Sequence, residues 1–454
     1  MPESTIAAIS TPKGEGSISV IRISGGGAIA VAEKCFVAAS GKRLSDMSGY
    51  SAAFGEVVRR DKTHIDEAVA LVFRAPKSYT GEDVVELSVH GGIVPARECL
   101  KCVFAAGARS AAPGEFTKRA FLNGKIDLTE AESIMEIIGA KGEAALSIAK
   151  SAKEGKISRD IEKITDKLLF AAASLAAYSD FPEEDIEGLD GESFIKMLNE
   201  CEESLIKLIS GFEAGQAVLA GVRTAIVGKP NVGKSTLMNM LSRQELSIVT
   251  PLAGTTRDII EKQVNIGDII LLLSDTAGIR DSGDVIEHIG VERAIKKIQN
   301  SQLVLAVFDI SQPFDDEDKK IMNLLKSKKC IAVLNKSDLP QKADLSGLAG
   351  FDTVLISAKN KTGYSELSKE ISKVCGTTGL SPDDAILLNE RQYSCATRAK
   401  TALSEAKEAL TSGITLDAVT VLIDDAVNAL LELSGKRASE SIVNEIFKNF
   451  CIGK

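Results

Sequence analysis

Residues 224–235 read Thr224-Ala225-Ile226-Val227-Gly228-Lys229-Pro230-Asn231-Val232-Gly233-Lys234-Ser235. A short apolar run gives way to two glycines with four residues between them, then Lys-Ser, and Thr236-Leu-Met-Asn-Met-Leu241 follows with helical composition. This is G-x-x-x-x-G-K-[ST] placed between a strand and a helix, the context in which the pattern carries a mechanism. The glycines let successive backbone N–H groups curl around phosphate oxygens at a helix N-terminus. Lys234 brings a point charge to the β/γ-phosphates, and the Ser235 hydroxyl is a ligand for Mg²⁺. A chance match to the pattern is the plain alternative, and the strand–loop–helix setting argues against it.

Two further strand ends name the nucleotide. Asp275-Thr276-Ala277-Gly278 follows Ile269–Ser274, where an Asp reaches the metal through water and Gly278 faces the γ-phosphate. Asn335-Lys336-Ser337-Asp338 follows the apolar Cys330–Leu334. A carboxylate there accepts hydrogen bonds from the N1–H and exocyclic amine of guanine, and a polar pocket left unpaired by adenine can reject it by ~10⁴-fold. Ser357-Ala358-Lys359, after Asp352–Ile356, completes the base pocket. The order resembles the translation-factor branch of P-loop GTPases, and the nucleotide is GTP.

Ras-like enzymes orient the attacking water with a Gln directly after Gly278's position. Here that residue is Ile279, which can neither orient nor activate water. Asn231 in the phosphate loop and the segment Thr250-Pro251-Leu252-Ala253-Gly254-Thr255-Thr256 together resemble the potassium-activated GTPases, in which K⁺ sits where an arginine finger would. That resemblance implies Mg²⁺ on Ser235 and Thr256, and K⁺ on Asn231, Thr250, Leu252 and Thr255. It also matches Glu287 to a water-orienting general base; the alternative for that residue is a solvated acidic loop.

The bulk composition sets the frame around this site. At 454 residues the chain is too long for one ordinary core, and two to four domains are expected. A 44% hydrophobic and 26% charged composition is that of a soluble globular protein, with no apolar run long enough for a membrane span. The N-terminus lacks a basic start and apolar stretch, so a cytoplasmic location is expected. The eight cysteines are scattered, only Cys99 and Cys102 form C-x-x-C, and three histidines complete no zinc site. Reduced, mostly buried thiols follow. The net charge of −9 argues against wholesale coating of nucleic acid.

Along the chain the pattern changes three times. Residues 1–120 read as a strand-rich α/β domain, with strands at Ser17–Ile23, Asp66–Phe73 and Val84–Val89. Residues 121–215 are helical, opened by the capping-box spacing Thr129-Glu-Ala-Glu132. Residues 216–378 alternate strand, glycine loop and helix, as in a doubly wound parallel sheet. Residues 379–454 return to helix. The fold class is multidomain α+β: a strand-rich N-terminal α/β domain, a discontinuous all-α domain, and an α/β P-loop GTPase domain inserted into it.

The last five residues, Phe450-Cys451-Ile452-Gly453-Lys454, place a thiol where chains usually fray. An incidental tail cysteine, a poorly fitting prenylation end and a chemically active thiol are the three readings. Ile442, Val443, Ile446, Phe447 and Phe450 share one helix face, so the last helix is expected to dock.

The whole chain resembles the MnmE (TrmE) family of tRNA modification GTPases. The resemblance rests on the G-domain motifs, "TPKGEGSISVIRISG", "YTGEDVVEL" with "HGG", "PGEFTKRAFLNGKIDL" and the Cys-x-Gly-Lys end. It implies a homodimer formed through the N-terminal domain and an FAD-dependent flavoprotein partner, MnmG (GidA), in a heterotetramer. Together these add an aminomethyl or carboxymethylaminomethyl group to C5 of the wobble uridine (U34) of certain tRNAs. The family draws the one-carbon unit from a reduced folate (5-formyl- or methylene-tetrahydrofolate), with contacts matching Arg22, Glu86, Lys125 and Lys454, and Cys451 as a catalytic thiol. The plain alternatives are an exposed strand residue for Arg22 and a Lys-paired carboxylate for Glu86. Arg391-Gln392 departs from the Arg-His that the family pattern leads one to expect. Outside this family, an RNA-binding ribosome-assembly GTPase of the Era kind and a protein-binding regulatory GTPase share the same nucleotide motifs.

Overall fold

The computed structural model describes residues 4–12, 14–180, 191–243, 262–273, 298–381 and 384–453, which fall into two compact units.

Unit 1 comprises residues 1–135, 161–173 and 420–454. Its strands are β1 (Ile6–Ile9), β2 (Ile18–Ser24), β3 (Phe36–Ala38), β4 (Ser51–Val58), β5 (His64–Phe73), β6 (Val84–His90) and β7 (Arg109–Ser110). They form one sheet in the order β3-β4-β5-β6-β2-β1-β7. All pairs are antiparallel except β1–β7. The period-2 alternation of β2 is what sorts its side chains: Ile21 and Ile23 are fully buried, while Arg22 points to the other face. Helices Ala28–Cys35 and Ile93–Ala105 cover the apolar face, and Ala96, Cys99 and Val103 pack with Ile21, Ile23 and Leu87. Cys35 and Cys99 are therefore core thiols, as their scatter implied. Burial pushes each of them up to about 12, far from a reactive thiolate.

The capping box expected at Thr129 and Glu132 sits elsewhere. Asp127 and Glu130 exchange the reciprocal bonds: Glu130 N donates to Asp127 Oδ1 (2.8 Å) and Asp127 N to Glu130 Oε2 (2.9 Å). Thr129 lies inside helix Leu128–Gly139, buried, with its hydroxyl donating to Asp127 Oδ1. An ionised carboxylate competes better for the free amides of a first turn than a hydroxyl does.

Unit 2 comprises residues 136–160 and 174–419. Strands β8 (Val222–Val227), β9 (Lys262–Ile266), β10 (Ile269–Leu273), β11 (Leu303–Asp309), β12 (Cys330–Asn335) and β13 (Asp352–Leu355) form a sheet in the order β13-β12-β11-β8-β10-β9. Five are parallel, as the alternation predicted. β9 is an antiparallel edge strand, because only Gly267-Asp268 separate it from β10 and two residues suffice for a hairpin but not for a crossover. The helical segments are real. Helix Gly191–Ser210 lies along helix Glu390–Thr411, where Lys407 Nζ pairs with Glu202 at 2.6 Å. Gln392, at the family's expected histidine, is fully buried and accepts from Leu388 N (2.8 Å), which makes it an anchor of the helix start. Among the described residues no helix is long and apolar enough to cross a membrane.

Candidate functional sites

The phosphate loop in unit 2 is shaped by contacts that tolerate no side chain at Gly233. Its φ is +102°, and a Cβ there would lie 2.2 Å from the Asn335 side-chain nitrogen. Asn231 also adopts a left-handed conformation (φ 62°), leaving its side chain exposed at the loop. Lys234 Nζ donates to the carbonyl oxygens of Gly228 (2.8 Å) and Lys229 (2.5 Å), so the loop closes on its own lysine. Burial lowers the Lys234 pKa. Ser235 and Thr236 are exposed at the start of helix Lys234–Arg243, and Val232 is buried beneath the loop.

The base-binding loops converge on the same edge of the sheet. Asn335 is buried at the end of β12: its Nδ2 donates to the Val232 carbonyl (2.7 Å) and its Oδ1 accepts from Ala358 N (3.0 Å). Its amide therefore ties neighbouring loops together and is spent on protein partners. Ser357 Oγ donates to Asp338 Oδ1 at 2.6 Å, and this bond holds the exposed carboxylate below its usual range. Ser337 N bonds to the Ile356 carbonyl, and Lys359 is exposed beside them. Lys336, with φ 67°, pairs with Asp309 Oδ2 at 2.5 Å. Burial alone would raise the Asp309 pKa, but hydrogen bonds from Lys336 and Ser311 bring it below the ordinary value. A carboxylate and a hydroxyl poised together at an open edge can accept and position the donor edge of a purine.

Sequence reading missed Lys229. Only 18% exposed, it pairs at 2.6 Å with both Asp315 and Asp318. Asp315 is the N-cap of helix Asp316–Leu325 and forms a capping box with Asp318. The acidic run Asp315-Asp316-Glu317-Asp318 was the available signal, because such clusters favour helix starts. The clamp holds the backbone whose carbonyls receive Lys234.

Several expected residues lie outside the described residues: Thr250, Pro251, Leu252, Ala253, Gly254, Thr255, Thr256, Asp275, Thr276, Ala277, Gly278, Glu287 and Lys454.

In unit 1 the structure brings Arg22 and Glu86 together as direct cross-strand partners, with Arg22 Nε 2.8 Å from Glu86 Oε1. At 16% exposure Arg22 is not an exposed strand residue, whereas Glu86 is an ion-paired carboxylate as its plain alternative had it, with an arginine as partner in place of a lysine. The Arg22 guanidinium lies 5.4 Å from the Tyr79 ring centre and 5.6 Å from that of Phe116. Burial raises the Tyr79 pKa, while its bond to Thr117 (2.8 Å) and the nearby Arg22 oppose that. The chain end reaches the same place: the Gly453 carbonyl accepts from Arg22 Nη1 (3.2 Å) and Ser10 Oγ (3.2 Å). Lys125 turns elsewhere, its Nζ donating to the Pro76 carbonyl at 3.2 Å.

The last helix docks as its pattern predicted. Val443, Phe447 and Phe450 are buried with Leu128 and Ala131. Gly114 is the seat of this segment. It has φ +64°, a Cβ would lie 2.7 Å from the Phe447 carbonyl, and its N–H donates to the Cys451 carbonyl at 3.4 Å. The Cys451 side chain is left exposed on a fixed backbone.

Comparison with known proteins agrees with this architecture. The family model "MnmE helical domain" matches residues 128–451, and "GTP-binding protein TrmE N-terminus" matches residues 5–125. The tRNA modification GTPase MnmE of Lactococcus lactis subsp. cremoris (strain MG1363) is 39% identical over 452 residues, 99% of this chain and 98% of that protein. The Syntrophomonas wolfei protein of the same name is 42% identical over 456 residues, 99% of each chain. Among solved structures, Aquifex aeolicus Era bound to GDP.AlF4- aligns with 40% of this chain and 66% of that one at 29% identity; its TM-score of 0.26 leaves the assignment to the sequence matches. Full-length agreement disfavours the Era-type reading. With two family models matching residues 5–125 and 128–451 and these relatives covering 99% of it, the chain belongs to the MnmE (TrmE) family of tRNA modification GTPases.

Proposed function

We propose that the chain hydrolyses GTP and, with an FAD-dependent MnmG (GidA) partner in a heterotetramer, installs an aminomethyl or carboxymethylaminomethyl group at C5 of wobble uridine. The observation that carries this reading is the occurrence, in one chain, of the phosphate and base loops of unit 2 and the Arg22–Glu86 pair met by the chain end in unit 1.

Lys234 holds the β/γ-phosphates after exchanging its loop carbonyls for phosphate oxygens, and Asp338 reads guanine. Ser235, exposed at a helix start, fits a Mg²⁺ ligand, with Thr256 as its companion. Asn231 fits a K⁺ ligand because its amide is exposed at the loop and makes no described side-chain bond; Thr250, Leu252 and Thr255 would complete that set. A bound alkali cation would supply positive charge to the phosphates, as an arginine finger does. Glu287 serves as the base that orients water, in place of the glutamine that Ile279 cannot replace.

In unit 1, Glu86 suits the pterin end of a reduced folate as an acceptor for its N–H groups, with Arg22 holding that carboxylate in place; Lys125, on leaving the Pro76 carbonyl, and Lys454 are the cations for the glutamate tail. Tyr79 and Phe116 add flat apolar surface against the guanidinium. Cys451 acts on the one-carbon unit or the base as nucleophile or acid/base. The outward sheet face supports a homodimer, because Val37, Phe54 and Val69 are 56%, 57% and 38% exposed, and Phe54 and Val69 are cross-strand partners.

The test is nucleoside analysis of tRNA from a strain lacking the protein. The C5-modified wobble uridines should disappear and return on complementation; an unchanged nucleoside profile would refute the proposal.

A further inference from the structure

We infer that the tip of the β4–β5 hairpin and the adjoining face of helix Ile93–Ala105 form a contact surface for the phosphate backbone of tRNA. The inference deepens the tRNA-modification reading and rests on it.

The tip reads Arg59-Arg60-Asp61-Lys62-Thr63. It is closed by Arg59 N to the Thr63 carbonyl (2.9 Å) and Lys62 N to the Arg59 carbonyl (2.8 Å). Asp61 is turned inward on its own loop, accepting from Thr63 N at 2.9 Å. Arg59 reaches across to helix residue Glu98 at 3.0 Å, so the hairpin tip and this helix face lie side by side. Glu98 also receives Lys101 at 2.8 Å and lies 4.0 Å from Arg97.

Five cations thus share two carboxylates, and one of those carboxylates is spent three ways. Among the described residues Arg60 and Lys62 have no carboxylate within ion-pair distance, and both are exposed. Arg59, Arg97 and Lys101 are 46%, 59% and 61% exposed.

Folding does not need this cluster. The helix is held by buried Ala96, Cys99 and Val103, and exposed ion pairs contribute little stability. In a chain of net charge −9, a local cationic excess is a departure that invites a polyanion. Arginine and lysine heads on two adjoining elements match the spaced, exposed charges of a nucleic-acid backbone. No aromatic side chain lies among these residues of tip and helix face, so the surface suits phosphate contact rather than base stacking.

The experiment measures binding of unfractionated tRNA to the full-length protein across a salt series. Replacing Arg60, Lys62 and Lys101 together by Gln should weaken binding by ~10-fold or more at 0.1 M salt and flatten the log–log salt slope by ~0.7–0.9 per lost contact. A charge-keeping variant, Arg60→Lys with Lys62→Arg and Lys101→Arg, should bind like the wild type. If the Gln variant keeps wild-type affinity and slope, the surface serves another partner, such as an acidic protein, and the inference fails. If the charge-keeping variant binds as weakly as the Gln variant, the effect is conformational and the inference fails. A wild-type protein that binds no tRNA would bring down the functional reading along with it.

Discussion

The phosphate loop of unit 2 and the Arg22 cluster of unit 1 are built in opposite ways. The first is a contiguous stretch whose work falls largely on backbone: Gly233 allows a close approach and Asn335 staples neighbouring loops. The second gathers side chains from β2, β6, the turn holding Tyr79, helix Glu115–Leu122 and the last residues of the chain. Backbone chemistry needs a fixed local geometry and so leaves a fixed spacing in the sequence. Side-chain assembly needs only that distant segments meet, and it leaves single residues with no local signature.

This contrast can be tested where each site depends most on one group. Asp338→Asn should exchange guanine for xanthine preference, shifting the GTP-to-XTP selectivity by ~10⁴-fold. Unchanged selectivity in a nucleotide-competition assay would remove Asp338 from the base pocket. Next in size, replacing K⁺ by Na⁺ should depress GTP turnover by ~10³-fold if the alkali ion does the work of an arginine finger. Equal steady-state rates in the two salts would dismiss the role of Asn231. The smallest effect belongs to unit 1, where Gly114→Ala places a methyl against the Phe447 carbonyl. It should destabilise unit 1 by about 1–3 kcal/mol and quicken alkylation of Cys451 as the tail lifts. If alkylation and unfolding match the wild type, Gly114 is not the seat of the tail.

Legibility followed the same divide. The strand before Gly228, the helix after Ser235 and the strands leading to Asn335 and Ser357 were readable because periodicity and glycine spacing are local properties. The docking face of the last helix was readable for the same reason, as burial of Val443, Phe447 and Phe450 attests. Lys229 escaped notice because its partners Asp315 and Asp318 are about ninety residues away and meet it only through the fold. The capping box was misplaced by two residues because Asp127 competes with Thr129 for the same turn. Arg22 and Glu86 came from family resemblance, and only the β2–β6 register makes them partners.

The central claim is that GTP turnover and uridine modification are separable activities of one chain, the second requiring the Cys451 thiol. The direct measurement introduces Cys451→Ser into a strain lacking the protein, quantifies modified wobble uridine in its tRNA, and assays GTP turnover of the purified variant. The account predicts that the modified nucleoside is absent while GTP turnover stays at the wild-type rate. Wild-type levels of the modified nucleoside, or loss of both activities together, would contradict it.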